Sequence, residues 1–259
     1  PNHLGTNLFY YNFVGGSFEY TGEQTVAAGY LLAEWSVLEW LRLAGGVRFE
    51  SAELLVDTLN LTKGERYLSS VEQNDLLPAI STTLSLRTNL LLRAAWSQTV
   101  VRPTYREIAR AEFYDVARGR TYTGSTNLTF SSSQNYDLRL EWYPESGEII
   151  SLGAFLKLID APIELRSARN DNSLVDYRNF EEATVWGLEF EIRKSLGPLW
   201  EPHNALTLGI NYAYKQSAVP LTEEQQQNRF QGFGSTDSTR PLYDVPECLI
   251  NGDLTWEHA

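Results

Sequence analysis

Apolar and polar residues alternate along most of this chain. From 41 to 50, Leu41, Leu43, Gly45, Val47 and Phe49 share one phase, and Arg42, Ala44, Gly46, Arg48 and Glu50 share the other. A helix would put Arg42 and Gly46 on the same face as Gly45 and Phe49, so a period of two describes the run better. The same period sets Val26, Ala28, Tyr30 and Leu32 against Thr25, Ala27 and Gly29, and Leu90, Leu92, Ala94 and Trp96 against Leu91, Arg93, Ala95 and Ser97. It is cleanest where Tyr136, Leu138, Leu140 and Trp142 alternate with Asp137, Arg139 and Glu141. With further runs over 79–86, 150–158, 184–193, 206–215 and 248–256, the pattern predicts nine strands.

The connections between these runs alternate in length. Short turns are expected at 36–39, 87–89, 144–147 and 197–204, and long polar loops at 57–75, 102–133, 169–180 and 218–243. The second long loop contains Pro103 and a small helix-like patch over 105–111. Short turns make antiparallel neighbours. A soluble sandwich also alternates apolar and polar residues, but it has less reason to place every long loop at one end. An outer-membrane barrel does so, with short turns toward the periplasm and long loops outside.

The polar phase carries Arg42, Arg48, Glu50, Arg93, Arg139, Glu141, Lys157, Glu189, Glu191 and Lys215. In a barrel these side chains face a wet or plugged lumen and the apolar phase meets lipid. In a sandwich they face water, and alternation alone permits both. Trp35, Trp40, Trp142, Tyr143, Tyr212, Tyr214 and Trp256 stand near strand ends. Rings with a polar edge suit a membrane–water interface, which favours the barrel.

Composition narrows the picture. Aromatic residues make up 12% of the 259 positions, yet the mean hydropathy is −0.31, so apolar and polar residues must be interleaved. A formal net charge of −12 argues against a nucleic-acid partner, because phosphates repel an acidic surface. Solvated loops account for the acidity. Cys248 is the one cysteine, which excludes an intrachain disulfide and a cysteine metal cluster. No apolar run reaches the roughly 18 residues of a transmembrane helix. A barrel strand needs only about 10 residues, alternate ones apolar. The chain has no Met and opens at Pro1, which reads as a piece of a longer product.

Catalytic chemistry finds little support. His3, His203 and His258 are scattered and none has metal-ligand spacing with another, so no metal site is expected. There is no G-x-S-x-G, P-loop or G-x-G-x-x-G, and no cofactor is implied. Strand carboxylates alternate inward, as solvated lumen charges do, so the chain is not read as an enzyme. Gly45–Gly46 inside a strand reads as a close approach of a neighbour. Asn127 lies in an N-L-T acceptor pattern, incidental in a bacterial outer membrane. The external-loop residues Arg102, Tyr105, Arg106, Tyr114, Arg118 and Arg120 are candidates to contact an anionic or sugar-like ligand. For the 102–107 patch a structural role is the better account, since Pro103 fixes φ and a short helical turn starts there.

Several phrases resemble one family. The stretch LPAISTTLSLRTNLLLRAAWSQTVVRPTYREIARAEFYD matches "R-A-x-x-S-x-T-x-x-R-P-x-x-R-E-L" at Arg93, Ala94, Ser97, Thr99, Arg102, Pro103, Arg106 and Glu107, with Ile108 in the final position. GSTNLTFSSSQNYDLRLEWY matches a second phrase at Asn127, Leu128, Asn135, Tyr136, Asp137, Leu138 and Glu141, without that phrase's loop Pro and Pro-Glu. SLGAFLKLIDAPIE, ATVWGLEFEIRKSL and NALTLGINYAYKQS follow in order. Together they resemble the C-terminal β-barrel of TonB-dependent outer-membrane receptors over most of 23–259.

The resemblance implies an all-β fold: an antiparallel transmembrane β-barrel of about 22 strands, with a plug inside. Residues 1–259 would be a partial β-barrel domain, with the plug, the TonB box and the closing strands elsewhere. It further implies uptake of a scarce or large nutrient (an iron chelate, a cobalamin-like compound or an oligosaccharide) by loop and plug binding and energy-coupled gating. The implied partners are outer-membrane lipid, the periplasmic coupling protein TonB through regions outside this chain, and a small-molecule or oligosaccharide substrate. The lumen-facing charges would be Arg48, Glu50, Arg93, Arg139, Glu141, Glu189 and Glu191. The alternatives are a passive porin or autotransporter-type barrel, and a soluble β-sandwich binding module. A need for detergent separates the last from the others.

Overall fold

The computed structural model describes residues 10–11, 18–168, 171–196 and 204–258. The expected turn at 197–203, His203 within it, and His3 lie outside the described residues. In chain order the elements are β1 (Tyr10–Tyr11), β2 (Phe18–Leu38), β3 (Leu41–Asn60), β4 (Glu65–Arg87), β5 (Leu90–Val101), α1 (Tyr105–Ile108), β6 (Glu112–Asp115), β7 (Arg120–Thr123) and β8 (Ser131–Trp142). They continue as β9 (Ile149–Asp160), β10 (Ile163–Ala168), β11 (Asp171–Asn179), β12 (Glu182–Ser195), β13 (Asn204–Pro220), α2 (Glu223–Phe233), β14 (Thr239–Arg240) and β15 (Cys248–His258).

An 11-stranded antiparallel sheet runs β1-β2-β3-β4-β5-β8-β9-β12-β13, with β14 and β15 both on β13. Without the two-residue pieces β1 and β14, nine long strands remain, each beside its predecessor in the wall. These are the nine runs read from the period of two. Among the described residues β2 and β15 do not pair with each other, so the wall is open.

Register carries each phase across the sheet, because directly opposed residues share a face. Thr82–Ala94, Leu84–Leu92, Leu92–Leu140, Leu140–Leu152, Leu152–Phe190, Phe190–Tyr212 and Tyr212–Ile250 are successive opposed pairs on the apolar face. Nothing covers that face among the described residues. Leu138 is 50% exposed, Leu152 57%, Ile250 72% and Trp256 67%. Exposing one such side chain to water costs about 1.5–3 kcal/mol relative to burying it, so a band of them belongs against lipid.

Strand β3 shows where the lipid band stops. Leu41, Leu43, Val47 and Phe49 face out, followed on the same face by Ser51 and Glu53. The inner face changes the opposite way. Arg48 and Glu50 give way to Ala52, Leu54 and Val56, all three buried. Above this level the strands leave the membrane and pack inward.

That reversal corrects two expected connections. The stretch 57–75 is not a loop: β3 runs to Asn60, β4 starts at Glu65, and only 61–64 forms the tip. Its polar outer residues look like loop composition, yet alternation persists and the inner residues find a core. The turn expected at 36–39 is displaced, because β2 runs to Leu38 past a bulge and the chain reverses at 39–40.

The remaining outer connections also contain structure. Strands β10, β11, β7 and β6 form a 4-stranded sheet in that order. The β10–β11 hairpin comes from the loop between β9 and β12, and β6–β7 from the loop between β5 and β8. They join where β11 runs parallel to β7, pairing Val175 with Tyr122. In the last long loop α2 starts at Thr222, whose Oγ1 accepts from Gln225 N while Gln225 Oε1 accepts from Thr222 N. Gly234 ends it at φ 66, a left-handed value that glycine adopts freely.

Candidate functional site at the outer loops

Two apolar clusters seat the loops. Leu54 and Val56 of the β3 hairpin are buried against Ile108, Ala109, Ala111 and Phe130 of the long loop after β5. Phe113, Tyr122 and Val175 form the second cluster, with Leu165 and Tyr177 against it. The first includes Ile108 of α1, whose N-terminus is closed by a capping box. Thr104 Oγ1 accepts from Glu107 N, and Glu107 Oε2 accepts from Thr104 N at 2.7 Å. Gly124 passes so close to this turn that a Cβ would lie 1.8 Å from Ala109 O, which no side chain tolerates.

Arg102 and Tyr105 are engaged in this framework. Arg102 Nη2 pairs with the buried Glu50 carboxylate, and its guanidinium lies 5.5 Å from the Phe130 ring. Arg48 Nε donates to the same carboxylate at 2.5 Å. Tyr105 packs against the first cluster, and Gly22 of β2 leaves room for its ring. Tyr114 is exposed on β6, and Arg120 opposes Asp115 in the hairpin register. Neither lines the cleft described next.

Arg106 and Arg118 do meet. Together with Tyr122, Tyr177 and Tyr243 they line a cleft of about 280 Å³ between three loops. The Arg106 guanidinium lies 3.4 Å from the Phe113 ring centroid. Arg118 Nη2 donates to Asp244 at 2.8 Å, and its Nη1 reaches Asp115 at 3.4 Å. Arg240 Nη1 and Tyr243 N both donate to Glu164 Oε2, at 2.9 and 3.1 Å. These bonds tie the last long loop to the other two. Asn179 links the loop after β5 to the β10–β11 hairpin, accepting from Thr129 N at 2.9 Å and donating to Ala161 O at 2.7 Å.

Electrostatics in the cleft follow from these contacts. Desolvation, the largest single influence on Asp115, pushes its carboxyl up. The N–H groups of Arg118 and Ala117, with the Arg118 guanidinium, outweigh it and hold the carboxyl below the usual range. Burial first pushes the phenols of Tyr122 and Tyr177 up, and for Tyr122 the neighbouring Tyr243 adds to it. Both stay neutral well into alkaline conditions.

The inner wall face carries a second polar group. Arg93 on β5 and Arg139 on β8 are directly opposed, an arrangement of like charges that repels. Glu141 lies between them, accepting from Arg93 Nε at 2.8 Å and Arg139 Nε at 3.1 Å. Tyr143 OH donates to it at 2.9 Å. Arg139 Nη2 continues to Glu191 on β12 at 2.5 Å, and Arg93 Nη1 reaches Thr83 on β4 at 3.2 Å. Glu189, exposed, shares that face. No group of three or more His, Cys, Asp or Glu side chains is placed to hold a metal among the described residues.

Tyr122, Tyr177, Tyr243, Glu164 and Asp244 are not singled out by the sequence reasoning. Their meeting depends on pairing between loops that are distant in the chain. Loop aromatics beside an arginine were the only available signal.

No curated protein matches the chain. Among solved structures it is similar to the hemophore receptor HasR of Serratia marcescens, solved with its hemophore HasA and heme, at 13% identity and a TM-score of 0.60. That likeness covers 93% of this chain and 43% of HasR. The siderophore receptor PiuA from Acinetobacter baumannii follows at 15% identity and a TM-score of 0.58, covering 90% of this chain and 31% of PiuA. The ferric yersiniabactin uptake receptor FyuA from Yersinia pestis gives 16% identity and 0.56, covering 92% of this chain and 32% of FyuA. At such identities the likeness is one of fold, and the chain spans less than half the length of each. A family model described as TonB dependent receptor-like, beta-barrel, matches residues 2–259, so the chain belongs to that family and forms an open segment of a bacterial outer-membrane β-barrel.

Proposed function

We propose that this chain supplies part of the wall and the outer loops of a receptor that captures a scarce or large nutrient and imports it by energy-coupled gating. The observation that carries this reading is the joining of three outer loops around one cleft, above a wall whose inner face is polar. Loops meant only to bridge strands have no need to share a sheet. The plug, the segment that engages TonB and the remaining strands belong, in this reading, to regions outside 1–259. Import then consists of binding followed by a change of conformation.

Similarity to a hemophore receptor solved with heme, a siderophore receptor and a ferric yersiniabactin uptake receptor supports an iron-carrying substrate over a cobalamin-like compound or an oligosaccharide. The test uses the full-length protein in a Gram-negative host stripped of its own iron-chelate receptors. Growth on heme or a ferric siderophore under iron limitation is expected, and deletion of TonB should abolish it. Uptake that persists without TonB would replace this reading with a passive porin.

A further inference from the structure

The lipid-facing side of the wall is not uniform. Near the short β4–β5 and β8–β9 turns, at its periplasmic end, a groove of about 620 Å³ opens on it. Trp142 of β8 stands directly across from Ile150 of β9, and Phe190 of β12 directly across from Leu152, so two bulky rings flank two shorter aliphatic side chains. One step farther from the turns, Ala154 lies between Leu138 and Leu188 in the same register. Its small side chain leaves a low line along β9 toward the middle of the membrane.

The polar end of the groove carries charge of one sign. Arg87, the last residue of β4, opposes Leu90, which in turn opposes Trp142, so all three share the lipid-facing side. Arg87 is exposed, lines the groove, and has no carboxylate or hydrogen-bond partner among the described residues. Asn89 lines the same end, and its carbonyl accepts from Tyr143 N at 2.9 Å, which holds the two turns side by side. No carboxylate lines the groove. Glu148, just before β9, is engaged by Lys194 Nζ at 2.6 Å and Ser195 N at 3.2 Å, and Glu145, exposed in the turn before it, does not line the groove.

We propose that this groove is a site for one phospholipid of the periplasmic leaflet with a net negative headgroup, such as phosphatidylglycerol. Arg87 holds the phosphate, because a guanidinium makes its strongest hydrogen bonds to such oxygens. Trp142, an aromatic ring with a polar edge, sits at the level of the headgroup. An acyl chain lies over Ile150 and Leu152 and follows β9 past Ala154. The ammonium of phosphatidylethanolamine would find no carboxylate in the groove, which favours the net negative lipid. The site depends on the wall's place in the membrane and not on what the receptor imports.

Native mass spectrometry of the full-length receptor, released from a mild detergent, tests this with phosphatidylglycerol and phosphatidylethanolamine as probes. One retained phosphatidylglycerol is expected, with phosphatidylethanolamine held severalfold more weakly. Arg87→Gln should weaken the retained lipid about tenfold, the scale of one charge-assisted hydrogen bond. Leu152→Trp, which fills the groove and stays apolar, should weaken it too. Arg110→Gln, which removes a guanidinium lying on Tyr67 in the outer loops, should leave it unchanged. Each variant is checked for an unaltered melting temperature. Equal retention of the two lipids, unchanged affinity in Arg87→Gln or Leu152→Trp, or an equal loss in Arg110→Gln would overturn the proposal. So would a dimer mass that Leu152→Trp abolishes without affecting lipid, since a second copy of the chain would then occupy the groove.

Discussion

Arg118 Nη2 lies 2.8 Å from Asp244 Oδ2, although 126 positions separate the two residues. With Arg240–Glu164 this contact fastens the last long loop to the four-stranded outer sheet. Arg118→Ala should release that loop while the wall stays intact. Both partners are substantially exposed, so the effect on global stability is at most about 1 kcal/mol. The local effect is larger in practice: proteolytic cleavage within 234–247 of the folded receptor should speed up severalfold. Unchanged cleavage would show that Arg240–Glu164 holds the loop alone.

Asp115 gives the outer loops a dependence on acid. Its folded carboxyl titrates below its unfolded value, so its stabilising contribution is complete above the unfolded value, near 4, and is lost as pH falls through the folded one. Loop protection against an acid-active protease should therefore decline below about pH 4. Asp115→Asn should show the weakened protection already at neutral pH and a flatter profile.

Neighbouring residues on β8 should respond in opposite ways to charge. Leu138 faces lipid in the middle of the apolar band, and Asp137 faces the lumen. Leu138→Arg should cost about 2–4 kcal/mol, as charges do at mid-bilayer on a barrel's lipid face. Asp137→Arg should cost little. Heat-modifiability of the refolded full-length barrel on gels reads both.

Glu141 separates Arg93 from the directly opposed Arg139. Glu141→Ala leaves two guanidinium groups facing each other across a strand pair. The expected loss is about 1–3 kcal/mol, below the full cost of breaking a buried pair because the Arg93 side chain is 46% exposed. A lower denaturation midpoint in detergent checks it. The double change Glu141→Ala with Arg139→Ala should recover part of the loss, since it removes the repulsion.

Much of the wall is legible in the residues alone. Alternation such as Tyr136–Trp142 identifies a strand and its two faces without reference to anything distant. The hairpin above the membrane was harder, because Ser51, Glu53 and Asp57 look like loop while Leu54 and Val56 alternate with them. Only the core supplied by Ile108 and Phe130 turns that alternation into a strand pair. In the candidate site, Arg106 and Arg118 stand out as loop arginines, but nothing near Tyr122 in sequence announces Val175 as its pairing partner. Loop-to-loop pairing is a long-range property, and a local period does not record it.

The parallel junction of β7 with β11 has a consequence for what the cell presents to its surroundings. The outermost surface is a mosaic assembled from stretches some fifty positions apart in the chain. A peptide copied from any one loop lacks the neighbour that shapes it. Antibodies or phages selected on the folded receptor should therefore recognise the mosaic and ignore the isolated loops.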